Sequence, residues 1–304
     1  MLFLWHTFAM TTTQATETVI SASLALTRQH YENFPVASIF LPKHLRVPVS
    51  LIYQFARQAD DFADEGPFSV DQRLAALNNY RDELALLQAY IKPKTTFFSA
   101  LGATIKDNQL SFAPFFDLLD AFSQDVTKTR YINFEEVLDY CKRSANPVGR
   151  LMLELYGQSN QKNIYFSDHI CTALQLINFL QDVAIDFNKN AGKQRIYMCQ
   201  DELEKYNIDE QDIANLVAQS KNIDEKWQQF MQFNCQRAST LMQIGKPLGR
   251  VLKGRIGFEL RMMIAGGERI IDKITAVRGD VFKLRPTLHV GDWLIIFFKA
   301  LLKR

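Results

Sequence analysis

The sequence predicts an all-α protein, and three observations support this class. Apolar residues recur at helical spacing through most of the chain, no run of alternating residues with hairpin turns suggests a sheet, and no βαβ rhythm is present. A chain of 304 residues that is 47% hydrophobic can bury a sizeable core. Since no repeat or low-complexity linker divides it, we expect one helical domain over residues 21–290, after a disordered extension (1–20) and before an amphipathic basic tail (291–304).

Two helices are predicted in the first third of the chain. The first reads "LRVPVSLIYQFARQADDFAD" and is mostly apolar. The second, "SVDQRLAALNNYRDELALLQAYI", opens with a capping box between Ser69 and Gln72, in which each side chain hydrogen-bonds the other residue's backbone amide. Its leucines stand at helical spacing, which predicts a buried face.

A third helical stretch, "NFEEVLDYCKRSANPVGRLMLELYG", carries its own start and stop signals. Asn133 and Glu136 form a second capping box in the sequence pattern, and Gly157 is a typical stop. The Asn146-Pro147 pair interrupts the pattern, so we expect a kink there. A kink of this kind is structural, or it directs Asn146 at a ligand in a neighbouring cavity.

The later helices are longer. "SDHICTALQLINFLQDVAIDFNKN" is apolar on most sides, which predicts a buried helix. "GRIGFELRMMIAGGERIIDKITAV" predicts another, with a soft point at Gly266-Gly267. The tail "DWLIIFFKALLKR" has about ten apolar residues, too few to cross a bilayer, so it either lies in a membrane surface or docks on the core.

Charge and cysteine usage set limits on location and partners. The formal net charge of +2 favours neither nucleic acid nor an acidic partner, although residues 241–304 hold thirteen Lys/Arg against five Asp/Glu. That basic part suits an anionic substrate, a membrane surface or simply solubility. Four separated cysteines without CxxC predict isolated thiols in a reducing compartment. Because no secretory signal pattern is present, we expect a cytoplasmic protein, peripheral on the inner face of the cytoplasmic membrane if the tail binds lipid.

The first helix carries an acidic face. Asp60 and Asp64 are four residues apart and therefore share a side of the helix. Tyr53, Arg57 and Asp61, also four apart, lie beside them, and Arg57 is either a surface salt-bridge partner of Asp61 or a phosphate contact. Taken alone, such a carboxylate pair is more often solvated surface than a metal site.

A second acidic face raises the odds of metal chemistry. Asn178, Asp182 and Asp186 follow at four-residue spacing, about 6 Å apart along the axis, with Gln175 three residues earlier. The remaining positions are apolar, so the carboxylates on this face need compensation, because burying an unpaired charge is costly. Arginine pairing would supply it. Mg²⁺ fits better, since it takes carboxylate and amide oxygens and completes its shell with water and phosphate.

Two acidic helices that face each other across a cavity would hold a diphosphate through the metal ions. Metal ions would neutralise the leaving group, and the apolar remainder of the cavity would accept a hydrocarbon chain. This arrangement would catalyse C–O ionisation.

At this point the chain resembles a known family. "YQFARQADDFAD" and "NFLQDVAIDFNKNAGKQRIYM" are similar to the paired aspartate-rich motifs of the squalene/phytoene synthases, head-to-head trans-isoprenoid synthases in which a helical bundle surrounds a central cavity. The resemblance runs from about residue 30 to residue 293. More narrowly, "HYENFPVAS", "FSQDVTKTRY", "YCKRSANPVGRLMLELYG" and "VFKLRPTL" resemble the hydroxysqualene synthases of bacterial hopanoid pathways.

The resemblance implies roles for individual residues. The Mg²⁺ ligands would be Asp60, Asp64, Asn178, Asp182 and Asp186, with Asp61 supporting them. Contacts to the diphosphate or the reacting carbons would come from Tyr53, Arg57, Gln175, Arg195, Tyr197 and the loop of His30, Tyr31, Glu32 and Asn33. Tyr53 and Tyr197 are equally compatible with packing roles, and His30 with a local hydrogen bond.

The implied reaction is Mg²⁺-assisted ionisation of presqualene diphosphate, followed by rearrangement and capture by water to give hydroxysqualene, without NADPH. Many relatives have serines where Tyr31 and Asn33 stand, an Arg in place of Gln181, and an aromatic in place of Gly279. These departures disfavour condensation of two prenyl diphosphates, as in presqualene, dehydrosqualene or phytoene synthases, which is the alternative. A non-catalytic scaffold is a further alternative, disfavoured by two intact motifs. Association with neighbouring pathway enzymes is also expected.

Overall fold

The computed structural model describes residues 18–25, 41–189, 194–283 and 285–302, and their regular structure is helical. Within these ranges β pairing is limited to an isolated bridge between Tyr131 and Cys199. The all-α prediction is therefore confirmed. Contacts between Cα atoms divide the chain into two compact units.

Unit 1 contains the residues up to Val126 together with Leu151–Ser159. Its described elements are α1 (18–25), a 3₁₀ turn (Lys43–Leu45), α2 (Arg46–Asp64), α3 (Val70–Gln88), α4 (Thr96–Asp107), α5 (Ala113–Thr127) and the second half of α7 (Asn146–Leu155). The core of this unit centres on Phe55 of α2, which is fully buried and makes edge-on ring contacts with Phe98 and Phe115. Each buried aromatic side chain removes a large apolar area from water, and edge-on ring pairs add to the stabilisation.

Two predictions for this unit meet different outcomes. The capping box at the start of α3 is confirmed, because Ser69 Oγ accepts from the Gln72 amide and Gln72 Oε1 accepts from the Ser69 amide. The predicted disordered extension is wrong at its last three residues, 18–20, since these belong to α1. Residues 1–17 lie outside the described part of the chain.

Unit 2 contains Thr127–Arg150 and the residues from Asn160 onward. Its elements are α6 (Phe134–Ser144), the first half of α7, α8 (Gln161–Gln181), α9 (Val183–Asn188), α10 (Gln200–Lys205), α11 (Glu210–Val217), α12 (Glu225–Gly245), α13 (Leu248–Val251), α14 (Gly254–Ala276) and α15 (Val290–Leu302). Helix α8 packs against α6, α12 and α14. Its burial along much of its length confirms the prediction of a buried helix.

The second predicted capping box forms only by half. Asn133 Oδ1 accepts from the Glu136 amide, but the Glu136 carboxylate accepts instead from the Ile132 amide and from Lys128. These bonds hold the pKa of Glu136 below its usual value. The start of α6 is therefore fixed by one reciprocal bond fewer than the sequence pattern suggests.

The expected kink becomes a break between two helices. Helix α6 ends at Ser144, Ala145 separates the two, and α7 begins at Asn146 with Pro147 in its first turn. Proline is tolerated there because first-turn amides have no intrahelical partner. The predicted stop at Gly157 is confirmed by its left-handed conformation, with φ of +62° just after the end of α7.

The glycine pair in α14 serves close packing. The helix is continuous through Gly266 and Gly267, and both residues are buried. A Cβ atom at Gly267 would lie 2.8 Å from Leu174 Cδ2 and 2.9 Å from Met242 Cε. The absent side chain thus lets α14 approach α8 and α12, so the soft-point interpretation is replaced by a packing one.

The tail is helical and docks on α14. Ile296 and Ala300 are buried on its inner side. The Asp292 carboxylate accepts from three donors: Arg269 Nε (2.7 Å), Lys273 Nζ (2.5 Å) and the His289 amide (2.8 Å). Over the described residues, no helix has the length and apolar character needed to span a bilayer.

Candidate active site

The first acidic face lies on α2 in unit 1. One side of this helix enters the core through Leu51, Phe55 and Ala59, each at most 1% exposed. The opposite side carries the predicted set at intermediate burial: Tyr53, Arg57, Asp60, Asp61 and Asp64. The helical spacing of the sequence therefore places these polar side chains on one surface, as predicted.

Arg57 pairs with the carboxylates of its own helix. Its Nη2 lies 2.9 Å from Asp61 Oδ1, and its Nη1 lies 3.9 Å from Asp60 Oδ2. The salt-bridge alternative is thus realised with Asp61, and the guanidinium partly neutralises the face. A contact between Arg57 and a phosphate stays a prediction.

The end of α2 is held by a residue that the sequence analysis missed. Arg73 of α3 is 9% exposed and donates to the backbone carbonyls of Phe62 (3.1 Å), Glu65 (2.9 Å) and Gly66 (2.7 Å). Helix ends leave carbonyls without intrahelical partners, and Arg73 satisfies those next to Asp64. No sequence motif marks this arginine, because its role depends on how α3 folds back on α2.

The second acidic face lies in unit 2, where α8 meets α9. Asp182 separates the two helices with φ −108° and ψ 18°, so the single helix expected from the sequence is in fact two. Nevertheless, the Asp182 amide donates to the Asn178 carbonyl and the Asp186 amide to the Asp182 carbonyl, both at 2.9 Å. The i→i−4 bonding therefore persists across the break and keeps the three residues stacked.

Both carboxylates of this face are buried, and both have a cation near them. Asp182 is 8% exposed and Asp186 6%. The Arg285 guanidinium binds both oxygens of Asp182, with Nη2 to Oδ2 at 3.0 Å, and Lys189 Nζ lies 3.9 Å from Asp186 Oδ1. The arginine-pairing alternative is thus present, and burial of these charges explains the need for it.

The residues of this face fit Mg²⁺. They offer two buried carboxylates and, at Asn178, an amide oxygen at intermediate burial, which is the hard oxygen set this ion prefers. Asp182 already binds one cation, the guanidinium of Arg285, whose side chain is 40% exposed. The apolar surroundings are less complete than predicted, since Ile185 is 46% exposed.

A second contact fixes the segment that carries Arg285. The Gln181 side chain is 1% exposed, and its Nε2 donates to the Pro286 carbonyl. Gln181 and Asp182 therefore bind two successive residues of the "KLRP" stretch. No local sequence pattern marks Arg285 as a partner of Asp182, because the two residues lie 103 positions apart.

Arg195 and Tyr197 lie beside α8. Arg195 is 1% exposed and donates from Nη1 to the Tyr197 hydroxyl at 3.0 Å. The Tyr197 ring stacks on Phe179 with centroids 3.9 Å apart and an interplanar angle of 10°. Their segment is held by a backbone bond from Ile196 to Thr129 (3.0 Å). Tyr197 thus has the packing role with a satisfied hydroxyl, and a substrate contact stays a prediction.

The remaining predicted contacts have separate outcomes. Asn146 is 3% exposed, and its Oδ1 accepts from Thr172 Oγ1 of α8 at 3.0 Å, so it links α7 to α8. Gln175 lies on α8 at intermediate burial. The four residues His30, Tyr31, Glu32 and Asn33 lie outside the described residues.

A different cluster, formed by Cys199, Asp201 and Glu202, brings three potential ligand atoms within 4.8 Å of one another. Burial, reinforced by the Glu202 carboxylate, raises the pKa of the Cys199 thiol to about 12. Glu202 is engaged by Arg237 Nη1 at 3.1 Å. A protonated thiol and a salt-bridged carboxylate do not make a Mg²⁺ site. All four cysteines are free thiols, and burial raises the pKa of the other three to about 11–12, as expected of isolated, unreactive thiols.

The helical structure of the described residues and their two aspartate-bearing faces fit the isoprenoid synthases as a class. Residues 27–292 match the family described as squalene/phytoene synthase. The chain belongs to this family and is one of its head-to-head isoprenoid synthases, whose members typically depend on Mg²⁺.

Three relatives illustrate the match. The chain is 33% identical over 272 residues to a hydroxysqualene synthase of Rhodopseudomonas palustris, covering 89% of this chain and 88% of the relative. It is 39% identical over 179 residues to one from Zymomonas mobilis, with 57% of this chain aligned to 56% of that relative's length. The crystal structure of squalene synthase HpnC from Alicyclobacillus acidocaldarius superimposes with a TM-score of 0.77 at 33% identity, covering 86% and 95% of the two chains.

Proposed function

We propose that this protein is a hydroxysqualene synthase, which converts presqualene diphosphate and water to hydroxysqualene and diphosphate. The observation that carries this proposal is the 33% identity to the Rhodopseudomonas palustris hydroxysqualene synthase over nearly the whole chain. The buried carboxylates of the second acidic face support it, because they can hold Mg²⁺. A diphosphate leaving group needs such concentrated positive charge beside it.

The two acidic faces bind the metal and the diphosphate in this proposal. These faces would hold Mg²⁺, which when bound would supply positive charge to offset the negative charge of the departing diphosphate. The proposed Mg²⁺ ligands are Asp60 and Asp64 on the first acidic face, and Asn178, Asp182 and Asp186 on the second. The substrate contacts are Tyr53, Arg57, Gln175, Asn146, Arg195, Tyr197 and the loop of residues 30–33.

Two arginine side chains would assist the departure of the diphosphate. Arg57 lies within its own carboxylate cluster, and Arg195 is buried beside Tyr197. Guanidinium groups bind phosphate oxygens in a bidentate manner, so either residue orients the leaving group once the substrate is present. Phe179 and Tyr197 present stacked aromatic rings next to this face, which suits a hydrocarbon chain and a carbocation.

The decisive experiment supplies purified protein with Mg²⁺ and either presqualene diphosphate or farnesyl diphosphate, without NADPH, and identifies the products by mass spectrometry. We expect hydroxysqualene from presqualene diphosphate. Formation of presqualene diphosphate, dehydrosqualene or a related product from farnesyl diphosphate alone would instead establish the condensing alternative.

Variants of the two faces separate an enzyme from a scaffold. Asp64→Asn and Asp182→Asn keep side-chain volume, so each should retain helical content and lose about a hundredfold or more in turnover. Unchanged turnover in either variant would contradict the metal assignment. The expected cytoplasmic location and association with neighbouring pathway enzymes rest on the sequence alone and stay predictions.

A further inference from the structure

Helix α15 has two apolar sides, and only one of them is covered by the rest of unit 2. The inner side packs on α14 through Ile296 and Ala300, which are at most 1% exposed. The other side carries exposed apolar residues, with Leu294 at 61% and Phe298 at 59%. We call this side the tail apolar face, and its members are Val290, Leu294, Ile295, Phe298, Leu301 and Leu302. Contiguous exposed apolar surface of this kind marks an interaction site.

The tail apolar face is held in place from both ends of the helix. At its start, Asp292 accepts from Arg269 and Lys273 of α14. At its end, Arg261 donates from Nε to the Ala300 carbonyl at 2.8 Å and from Nη1 to the Gly249 carbonyl at 2.7 Å. The helix is therefore presented as a docked, preformed element whose apolar side points outward.

The same Arg261 bonds bring a basic segment to the end of α15. The segment that follows Gly249 exposes Arg250, Lys253 and Arg255. Lys299 lies on α15 itself, and the sequence continues with Lys303 and Arg304. Neither residues 246–258 nor residues 293–304 contain an Asp or Glu. Positive charge therefore lies near the C-terminal end of α15, and these two segments contain no acidic residue to offset it.

We infer that the tail apolar face and these basic side chains bind the surface of a bilayer that contains anionic lipids. An apolar face flanked by Lys and Arg is the pattern of helices that lie in the interface plane, where apolar burial and attraction to anionic headgroups add together. A second copy of the chain fits less well, because a self-complementary interface would bring the two basic segments together. No described helix is long and apolar enough to span a bilayer, so the contact is peripheral.

The test uses the full chain and sedimentation with vesicles of phosphatidylcholine alone or mixed with phosphatidylglycerol. We expect binding to the anionic vesicles that weakens as salt is raised. The double variant Leu294→Gln/Phe298→Gln should bind at least about tenfold more weakly, because two apolar side chains no longer enter the interface. Ile132→Gln is the matched control, since Ile132 is 60% exposed in the same unit and should leave binding unchanged.

A second pair of variants tests the charge independently of the apolar side chains. Lys253→Gln and Arg255→Gln should each weaken binding to anionic vesicles by about fivefold and leave binding to phosphatidylcholine unaltered. Equal vesicle binding by the Leu294→Gln/Phe298→Gln variant and the unaltered chain would overturn the inference. So would a dimer that this variant dissociates in the absence of any vesicle binding, because the face would then be an interface between copies.

Discussion

Replacing Arg285 by Gln tests whether the arginine at the second acidic face occupies the place of a metal ion. Arg285 binds both oxygens of Asp182, whose side chain is 10% exposed, while its own side chain is 40% exposed. A carboxylate that binds Mg²⁺ and a guanidinium at the same oxygens has to release one to accept the other. The variant should therefore lower the stability of the metal-free protein and raise its affinity for the metal ion.

The size of the effect follows from the burial of the two partners. Removing one partner of a fully buried ion pair costs about 3–5 kcal/mol. Because Arg285 is well exposed on one side, water reaches the pair and screens it, which lowers the expected loss to about 1–2 kcal/mol. The same energy opposes metal binding in the unaltered chain. Its removal should tighten metal binding by about fivefold to thirtyfold.

Two measurements on the full chain check this reasoning. Denaturant unfolding without metal gives the loss in the free energy of unfolding, and electron paramagnetic resonance of Mn²⁺, used in place of Mg²⁺, gives the affinity. Arg81→Gln is the control, because it removes an arginine paired with Asp120 in unit 1 and should leave Mn²⁺ affinity unchanged. A destabilised Arg285→Gln variant with unaltered or weaker Mn²⁺ binding would refute the competition.

Three further predictions concern stability. Arg73→Met should lower the free energy of unfolding by about 2–3 kcal/mol in denaturant titrations, since three carbonyls at the end of α2 lose their donor; a change below about 0.5 kcal/mol would contradict that role. Burial alone would raise the pKa of Asp292, but the His289 amide, Lys273 and Arg269 outweigh it and hold that pKa well below the usual range. The ionised Asp292 therefore stabilises the fold fully above its unfolded pKa of about 3.9, and this contribution is lost as pH falls through the lower folded pKa. Asp292→Asn should cost about 3 kcal/mol at neutral pH, and the difference in Tm from the unaltered chain should shrink below about pH 4; a pH-independent difference would argue against the charge. Gly267→Ala should destabilise by about 1–2 kcal/mol, because its Cβ would meet Leu174 and Met242 inside 3 Å, whereas Gly291→Ala, with no atom within 4 Å, should be neutral or stabilising in the same thermal scan.

Local patterns predicted much of the helical structure. The capping box at Ser69 forms as expected, and Gly157 stops α7. The reason is that caps and stops involve residues within one turn of each other, so the sequence spacing already contains the geometry. Where a predicted cap did not form, the capping side chain had bonded to a different residue. The Glu136 carboxylate, for example, bonds Ile132 and Lys128 instead of Asn133.

The candidate site divides along the same line. The four-residue spacing by itself placed Asp60 with Asp64, and Asn178 with Asp182 and Asp186, because helical periodicity is a property of the chain. Helical spacing could not predict which cation pairs with a buried carboxylate. The sequence shows that Asp182 needs a cation, yet Arg285 lies 103 residues away and is brought to it by the Gln181–Pro286 contact.

The sequence alone determined the helical class, the positions of both acidic faces and the family resemblance. Only the tertiary structure decided that Arg73 completes the end of α2, that Arg285 binds Asp182, and that α15 docks on α14 with a second apolar side exposed. The physical reason is the range of the interactions. Periodicity and capping act within a few residues, whereas the partner of a buried charge and the covered side of a helix depend on which distant segments pack against it.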